Sequence, residues 1–403
     1  MYDFSELERY IYSLPDIGVG MADLKVMVDH KEVFHRGAGY SDAAQTKIMD
    51  GDDIMWLFST SKVITCTAAM RLVDRGELSP DDTLDKYLPE YAEMTVRERD
   101  GTVRAAERKI TIRDLFAMTA GFSYDPLHQL RRAFLAFHGG QESPEAVKGQ
   151  VPESIFELGR NDVLSVREFA RAVAKLPLEF EPSTHYRYSI CHDILGAVVE
   201  VVSGMTLGEY MKKYIFEPLG MNDTGFSLPE NKMSRIAVGY DYINVTNTSK
   251  LVTERNEYSL VPGFESGGAG ILSTVNDYAK LVDTLACGGT SADGYYLMSP
   301  ETVTLMGTNQ LTPSALADFC SEPRKYGYGW GYCGRVHIRP EVSLALAPAG
   351  EFGWDGAAAT YCLVDAKNKV SAFFGSYIRG QNQYMYNRVH PHVRDLIYKA
   401  INK

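Results

Sequence analysis

Ser59 and Lys62 are the residues that most clearly suggest chemistry in this chain, because they lie three residues apart in the run Ser59-Thr60-Ser61-Lys62. If this run opens a helix, both side chains leave the same helix face and can meet. Serine becomes a useful nucleophile when a neighbouring base accepts its proton, and a lysine acts as that base only in its neutral form. The spacing therefore predicts a serine nucleophile with its base one helical turn away.

The residues around Ser59 support this helix. A strand-like run, Ile54–Phe58, precedes it, and Gly76 stands where a left-handed helix end is expected. The apolar stripe of the helix consists of Val63, Thr67, Met70 and Val73. In its first turn, free backbone N–H groups and the helix dipole would stabilise an oxyanion. A Ser-x-x-Lys match also arises by chance about once in a chain of this length, and Ser59 could simply be a helix N-cap, so other residues must decide.

Composition and charge exclude several classes of protein. The chain has 403 residues, of which 45% are hydrophobic and 23% charged, which is enough to bury a large core. Its formal net charge of −11 argues against a nucleic-acid partner. It contains no run of 18 apolar residues, so no membrane span is expected. The N-terminus lacks the basic and apolar regions of a secretory signal, which predicts a cytoplasmic protein.

Motifs for metals and cofactors are missing from the sequence. Its six cysteines are widely scattered without a C-x-x-C pair, and its nine histidines include no H-E-x-x-H. The α/β-hydrolase motif G-x-S-x-G is also absent. The run Gly327–Gly331 lacks the ending and the following helix of a dinucleotide site. We therefore predict free thiols, no metal and no cofactor.

Both ends of the chain show a helix and a hairpin-like pair of strands. The predicted elements are a helix at Phe4–Tyr12, strands at Leu24–Val28, Glu32–Gly37, Thr360–Val364 and Val370–Tyr377, and a helix at Tyr386–Ile401. Helical patterns dominate the middle, at Ile112–Met118, Val166–Leu176, Ile194–Val202, Leu207–Phe216 and Val275–Leu285. The sequence thus predicts an α/β (α+β) fold of two lobes. Residues 1–84 and 300–403 would form an antiparallel sheet flanked by the terminal helices, and residues 85–299 a mainly helical lobe.

Seven sequence blocks, in order, resemble those of the serine β-lactamase and penicillin-recognising superfamily. They are Phe58–Lys62, Thr111–Leu115 with Thr119–Gly121, Tyr188-Ser189, Asp193–Gly196, Glu217–Met221, Gly268–Thr274 and Phe352–Gly356. Within the superfamily, the chain is most similar to class C β-lactamase-like esterases, the family VIII carboxylesterases, and the related lovastatin acyltransferase. The resemblance covers almost the whole chain and implies a β-lactamase-like fold and a serine hydrolase that needs no cofactor.

The resemblance also implies roles for individual residues. Ser59 would be the acylated nucleophile, Lys62 would accept its proton or hold the proton network, and Tyr188 would relay a proton to the leaving group. Tyr186 is the alternative tyrosine, because it lies two residues away and on the same face of an extended segment. The backbone N–H groups of Ser59 and Ala357 would form the oxyanion hole, and Gly356 would let the substrate approach closely.

Two departures from the resemblance bear on the substrate. Ile190 stands where β-lactamases and DD-peptidases have the asparagine of Y-x-N, and Trp354 stands where they have the lysine of K-T-G. Losing an amide and a charge-assisted contact would weaken the binding of a penicillin or a D-Ala-D-Ala end. We therefore expect a carboxylesterase or acyltransferase acting on small neutral esters. The alternatives are action on β-lactams or D-amino acid peptides, or an inactive binding protein with the same fold.

Overall fold

A seven-stranded antiparallel sheet is the centre of the fold. The computed structural model describes residues 2–243, 246, 248–252, 263–380 and 382–402. The strands are β1 (Met21–Val28), β2 (Lys31–Gly39), β3 (Met55–Trp56), β4 (Thr95–Arg97), β5 (Val103–Ala105), β6 (Gly239–Ile243), β7 (Thr248–Val252), β8 (Leu272–Ser273), β9 (Tyr328–Trp330), β10 (Arg335–His337), β11 (Phe352–Gly353), β12 (Tyr361–Asp365), β13 (Val370–Gly375) and β14 (Ile378–Arg379). The large sheet has the order β2-β1-β13-β12-β11-β10-β9.

Helices cover the sheet and fill the middle of the chain. They are α1 (Ser5–Ser13), α2 (Ser61–Asp74), α3 (Ile112–Phe116), α4 (Asp125–Phe137), α5 (Pro144–Val147), α6 (Glu153–Leu158), α7 (Val166–Val173), α8 (Cys191–Ser203), α9 (Leu207–Met211), α10 (Val275–Ala286), α11 (Pro300–Met306), α12 (Pro313–Phe319), α13 (Pro340–Ser343), α14 (Asn382–Tyr384) and α15 (His390–Ile401). Two π-helical segments, Lys212–Phe216 and Met385–Val389, follow α9 and precede α15. Among the described helices, none is by itself long and apolar enough to cross a bilayer.

The two ends of the chain meet in the sheet, as the terminal hairpin patterns predicted. Strand β1 pairs antiparallel with β13, from Asp23 opposite Gly375 to Val28 opposite Val370. Adjacent residues of a strand point to opposite faces of a sheet. Phe373 stacks on Tyr278 of α10 with ring centres 4.1 Å apart, whereas Phe374 faces His390 at the start of α15 at 5.6 Å. The sheet is therefore covered on both faces, as expected for the α/β class.

The middle of the chain is less uniformly helical than its sequence pattern suggested. Strands β4 and β5 form a short pair, β6 and β7 pair beside β14, and β3 pairs with β8. Each of these strands is five residues or shorter, too short to leave a clear alternating pattern. All strands of the large sheet come from residues 21–39 and 328–375. The division into lobes at 84/85 and 299/300 stays a prediction.

Helix α2 lies inside the molecule and carries the candidate motif. Its apolar stripe was predicted to be one-sided, but residues around the whole circumference of its first turns are buried, including Ser61, Lys62 and Thr65. The helix also begins later than predicted. Residues Phe58–Thr60 form a 3₁₀ turn, and the α-helix begins at Ser61. Gly76 has the expected left-handed conformation, with φ of 71°.

Candidate active site

Ser59 and Lys62 meet as their spacing predicted. The Lys62 Nζ lies 3.3 Å from the Ser59 Oγ. This is at the long end of hydrogen-bond distances, which is usual for catalytic pairs without substrate. Ser59 is half-buried, so its hydroxyl is reachable, whereas the Lys62 side chain is fully buried. The pair therefore has the arrangement of a nucleophile beside a desolvated amine.

The strand-to-helix junction gives Ser59 its position. Phe58 has a left-handed φ of 49°, which is uncommon for a residue other than glycine and costs on the order of 1–3 kcal/mol. The surrounding hydrogen bonds hold this turn in place. The Thr60 and Thr360 hydroxyls both donate to the Leu57 carbonyl, at 2.9 and 2.8 Å. The Tyr278 hydroxyl donates to the Thr60 carbonyl at 2.8 Å. The serine thus lies on a tight, fixed turn.

Lys62 has two further hydrogen-bond partners besides Ser59. Its Nζ donates to the Tyr124 hydroxyl and to the Gly268 carbonyl, each at 2.7 Å. An ammonium has three N–H donors, so the three oxygens satisfy all of them. Each of these oxygens belongs to an uncharged group, so the amine is held without a direct ion pair. These contacts bring together residues from three separate parts of the sequence.

Tyr188 lies beside Lys62 but contacts it through its ring. The Lys62 Nζ is 4.8 Å from the centre of the Tyr188 ring. The Tyr188 hydroxyl accepts a hydrogen bond from the Trp354 Nε1 at 2.8 Å. The alternative, Tyr186, packs its ring on Phe319 and Trp330 at 5.1 and 5.5 Å. Of these two tyrosines, Tyr188 is the one placed at the serine–lysine pair, and its role as proton relay stays a prediction.

Tyr124 was missed by the sequence analysis and contacts the amine directly. Its ring centre lies 5.6 Å from that of Tyr188, so two phenols share one amine. Burial and the neighbouring Tyr188 raise the pKa of Tyr124 well above its usual value, which keeps its hydroxyl protonated at neutral pH. The available signal was its position just after Thr119–Gly121, one of the blocks that carried the resemblance.

The Trp354–Ala357 segment lies next to the nucleophile. Strand β11 ends at Gly353 and lies inside the sheet, between β10 and β12. Beyond it, Asp355 still pairs antiparallel with Tyr361, and the chain turns at Ala357. A Cβ on Gly356 would lie 2.0 Å from the Thr360 Oγ1 and 2.4 Å from the Leu57 carbonyl. The glycine therefore allows close packing within the protein, and its role in the approach of substrate stays a prediction.

Two further predictions concern Ala357 and Ile190. Among the described residues, the backbone amides of Ser59 and Ala357 have no hydrogen-bond partner, as an oxyanion hole requires. Whether they act together stays a prediction. Ile190 is fully buried in the hydrophobic core at the start of α8. A contact of Ile190 with substrate stays a prediction.

Two buried titratable residues, His192 and Asp193, lie near Lys62. Burial and the charge of Lys62 lower the pKa of His192 to about 3, so its ring is neutral near pH 7. Its Nε2 faces the Phe116 carbonyl at 3.3 Å. Burial raises the pKa of Asp193, whose Oδ1 accepts hydrogen bonds from the Ser266 hydroxyl and the Gly268 amide at 2.6 and 3.2 Å. Asp193 therefore shapes the loop that presents the Gly268 carbonyl to Lys62.

Comparison with known proteins fits this geometry. The profile of the Beta-lactamase family matches residues 15–388. The chain belongs to the beta-lactamase family. It is 28% identical to esterase EstB of Burkholderia gladioli over 82% of this chain and 79% of EstB. It is 30% identical to lovastatin esterase of Penicillium rubens over 79% of this chain and 78% of the relative.

A solved structure shows the same fold. EstCE1, described as a hydrolase with promiscuous acyltransferase activity, superimposes with a TM-score of 0.75 at 23% identity. The superposition covers 98% of both chains. The chain is thus a member of a family of serine hydrolases with the β-lactamase fold, which confirms the resemblance, the fold class and the enzyme class inferred from the sequence.

Replacing Gly268 with alanine should lower activity of this family member without unfolding it. The added Cβ would lie 2.6 Å from the Asp193 Oδ2, so the loop must shift and move its carbonyl away from Lys62. We expect kcat for an activated ester to fall about 10–100-fold, because small displacements of positioning groups are costly. The matched control is Gly239→Ala, whose new Cβ would meet its nearest atom at 3.5 Å. Equal activity of both variants would contradict the positioning role of Gly268.

Proposed function

We propose that this protein is a carboxylesterase that acts on small neutral esters through an acyl-enzyme on Ser59. The observation that carries the proposal is the contact of the Ser59 hydroxyl with a buried lysine that also contacts a phenol. This arrangement supplies a nucleophile and an amine that can hold or move its proton. We assign the second proton carrier to Tyr188, whose ring centre lies 4.8 Å from the amine. The esterase names of the relatives support the same reaction class.

The proposed reaction has two steps. In the first, the Ser59 oxygen attacks the ester carbonyl while its proton passes to the unit formed by Lys62 and Tyr188. The carbonyl oxygen receives hydrogen bonds from the amides of Ser59 and Ala357 as it becomes negative. The alcohol then leaves with the proton held by that unit, and the acyl group stays on Ser59. In the second step, water or another alcohol repeats the sequence and releases the acid or a new ester.

The surroundings of Trp354 favour a neutral substrate. Its indole replaces the lysine that related enzymes use for a substrate carboxylate, and its N–H is already bonded to Tyr188. Trp330 packs edge-on against Trp354 with ring centres 4.5 Å apart, and it also contacts the Tyr188 ring at 5.9 Å. Trp354 also lines a cavity of about 280 Å³ with four cations, Arg324, Lys325, Arg335 and Arg394. Each of these cations is paired with a carboxylate. The two indoles make the wall next to Tyr188 aromatic.

A comparison of substrates tests this proposal. We expect kcat/KM for p-nitrophenyl butyrate to exceed that for a chromogenic cephalosporin by at least roughly 100-fold, which corresponds to about 2.7 kcal/mol of transition-state binding. A D-alanyl-D-alanine peptide should be a similarly poor substrate. A preference for the cephalosporin or the peptide would replace the esterase proposal by the β-lactamase or peptidase alternative. Lack of turnover of all three would favour the inactive binding protein.

Removing single tyrosine hydroxyls should separate the roles of the two phenols. Tyr188→Phe should lower kcat by about 10²–10⁴-fold, as is usual when a general acid–base is lost. Tyr124→Phe removes one acceptor from Lys62 and should cost about 10–100-fold, the value of one hydrogen bond to a charged group.

Tyr186→Phe is the matched control for both tyrosine variants, since its ring contacts would be kept. It should retain kcat within about two-fold, because the change removes no catalytic group and keeps the ring contacts. If Tyr186→Phe were the most damaging change and Tyr188→Phe the mildest, the proton relay would have to be reassigned to Tyr186.

A further inference from the structure

His30, Asp283 and Cys287 place three metal-binding atoms close together away from Ser59. Their donor atoms all lie within 4.8 Å of one another, and they are the only such group of His, Cys, Asp or Glu found in the described ranges. The His30 Nδ1 is 2.8 Å from the Asp283 Oδ2, and the Cys287 Sγ is 3.9 Å from the Asp283 Oδ1. We propose that these residues bind a divalent transition-metal ion, with zinc as the preferred ion.

The three donors come from elements that are fixed relative to each other. Asp283 and Cys287 are four residues apart at the C-terminal end of α10, where such a spacing puts both side chains on one face. His30 lies in the two-residue turn between β1 and β2, and α10 packs over β1. The Asp29 amide also bonds to the Lys369 carbonyl of the neighbouring hairpin at 3.0 Å. The site is therefore built on rigid elements, as a selective metal site requires.

The distances suit zinc with small side-chain adjustments. In tetrahedral sites, zinc lies about 2.0–2.2 Å from nitrogen and oxygen and about 2.3 Å from sulfur, which puts the donor atoms roughly 3.4–3.6 Å apart. The observed 2.8 and 3.9 Å bracket that range. Asp283 is almost fully buried, whereas 28% of the His30 side chain is exposed. The protein would supply three ligands, and water would reach the fourth position from the His30 side.

Charge and ligand type also favour a soft divalent cation. One thiolate, one imidazole and one carboxylate favour zinc or cobalt over magnesium and calcium, which prefer oxygen ligands alone. The C-terminal end of α10 carries the negative end of the helix dipole. The nearby cation Lys369 is bonded to Asp29 at 2.8 Å and not to the donors. On binding, the metal replaces the proton of the Cys287 thiol, which leaves to solvent.

The site is separate from the proposed catalytic residues, so its test does not depend on the proposed esterase activity. Tyr278 of α10 touches the residue next to Ser59, and nine further residues lead to Cys287. At 1.5 Å per residue, this corresponds to about 13 Å along the helix. Loss of the metal should therefore change stability and spectra and leave ester turnover nearly constant.

The proposed metal site is tested by titrating the protein with cobalt(II) after a chelator has removed any bound metal. We expect one equivalent of CoCl2 to produce a thiolate-to-cobalt charge-transfer band and the visible bands of tetrahedral cobalt, and ZnCl2 to remove both. Cys287→Ala should abolish the charge-transfer band, while Cys320→Ala, which removes another half-buried thiol, should keep it. Asp283→Asn and His30→Gln should weaken binding by at least roughly tenfold.

Thermal unfolding supplies the second readout. Saturating ZnCl2 should raise the midpoint of the wild type and of Cys320→Ala, because an ion that binds the folded form stabilises it, and should not raise that of Cys287→Ala. Should Cys287→Ala fail to fold, His30→Gln in the exposed turn serves the same purpose. A wild type without a charge-transfer band, or a band that survives in Cys287→Ala, would refute the metal site and leave His30 and Asp283 as a hydrogen-bonded pair.

Discussion

Ser59→Ala should lower the turnover of an activated short-chain ester by about 10⁴–10⁶-fold, the loss seen when a serine nucleophile is removed. The physical reason is that no other hydroxyl among the described residues contacts the Lys62 amine except the phenol of Tyr124. Without the Ser59 oxygen, no acyl-enzyme forms, and only binding and the oxyanion donors remain to help water. The measurement is kcat for p-nitrophenyl butyrate with purified wild type and variant.

Covalent labelling separates loss of the nucleophile from loss of folding. One fluorophosphonate probe should bind covalently to the wild type and increase its mass accordingly. Peptide mass spectrometry should locate the added group on Ser59. Ser227 is exposed and serves as an internal control, because accessibility without an activating base should leave it unlabelled. Retained turnover in Ser59→Ala, or a label on another serine, would refute the assignment. An unchanged melting temperature of Ser59→Ala would show that the loss is chemical.

Lys62→Met should reduce kcat by roughly 10³–10⁵-fold while the protein stays folded. Methionine fills a similar volume without an amine, so the proton of Ser59 loses its acceptor. Lys62 is fully buried, and its replacement leaves the Tyr124 hydroxyl and the Gly268 carbonyl without this donor, at a cost of about 1–3 kcal/mol for each group left unsatisfied. We therefore expect the loss of kcat together with a lower midpoint of thermal unfolding in a protein that still folds, as measured by circular dichroism.

Two further variants sharpen the test of Lys62. Lys62→Arg keeps a positive charge, but a guanidinium does not give up its proton and should not restore activity. In the double variant Ser59→Ala/Lys62→Met, the losses should not add, because residues that act as a unit fail together. If Lys62→Arg were nearly as active as the wild type, the lysine would act only through its charge. Fully additive losses would contradict a shared proton-transfer unit.

Local sequence determined the parts of this protein that depend on neighbours along the chain. The three-residue spacing of Ser59 and Lys62 required only a helical turn, and the paired hairpin patterns at the two ends required only alternation. The family blocks then identified Tyr188 and the Trp354 segment as neighbours of the serine. The predictions from spacing and alternation rest on backbone periodicity, which fixes which side chains share a face.

Tertiary structure decided the contacts that join distant segments. Tyr124 and Lys62 are 62 residues apart, and Gly268 and Lys62 are 206 residues apart, so no local pattern linked them. His30 and Asp283 are 253 residues apart, so no sequence motif links them. Only the packing shows that Ile190 is fully buried. Side-chain direction and burial are set by how helices and sheet pack, and that information is not carried by spacing along the chain.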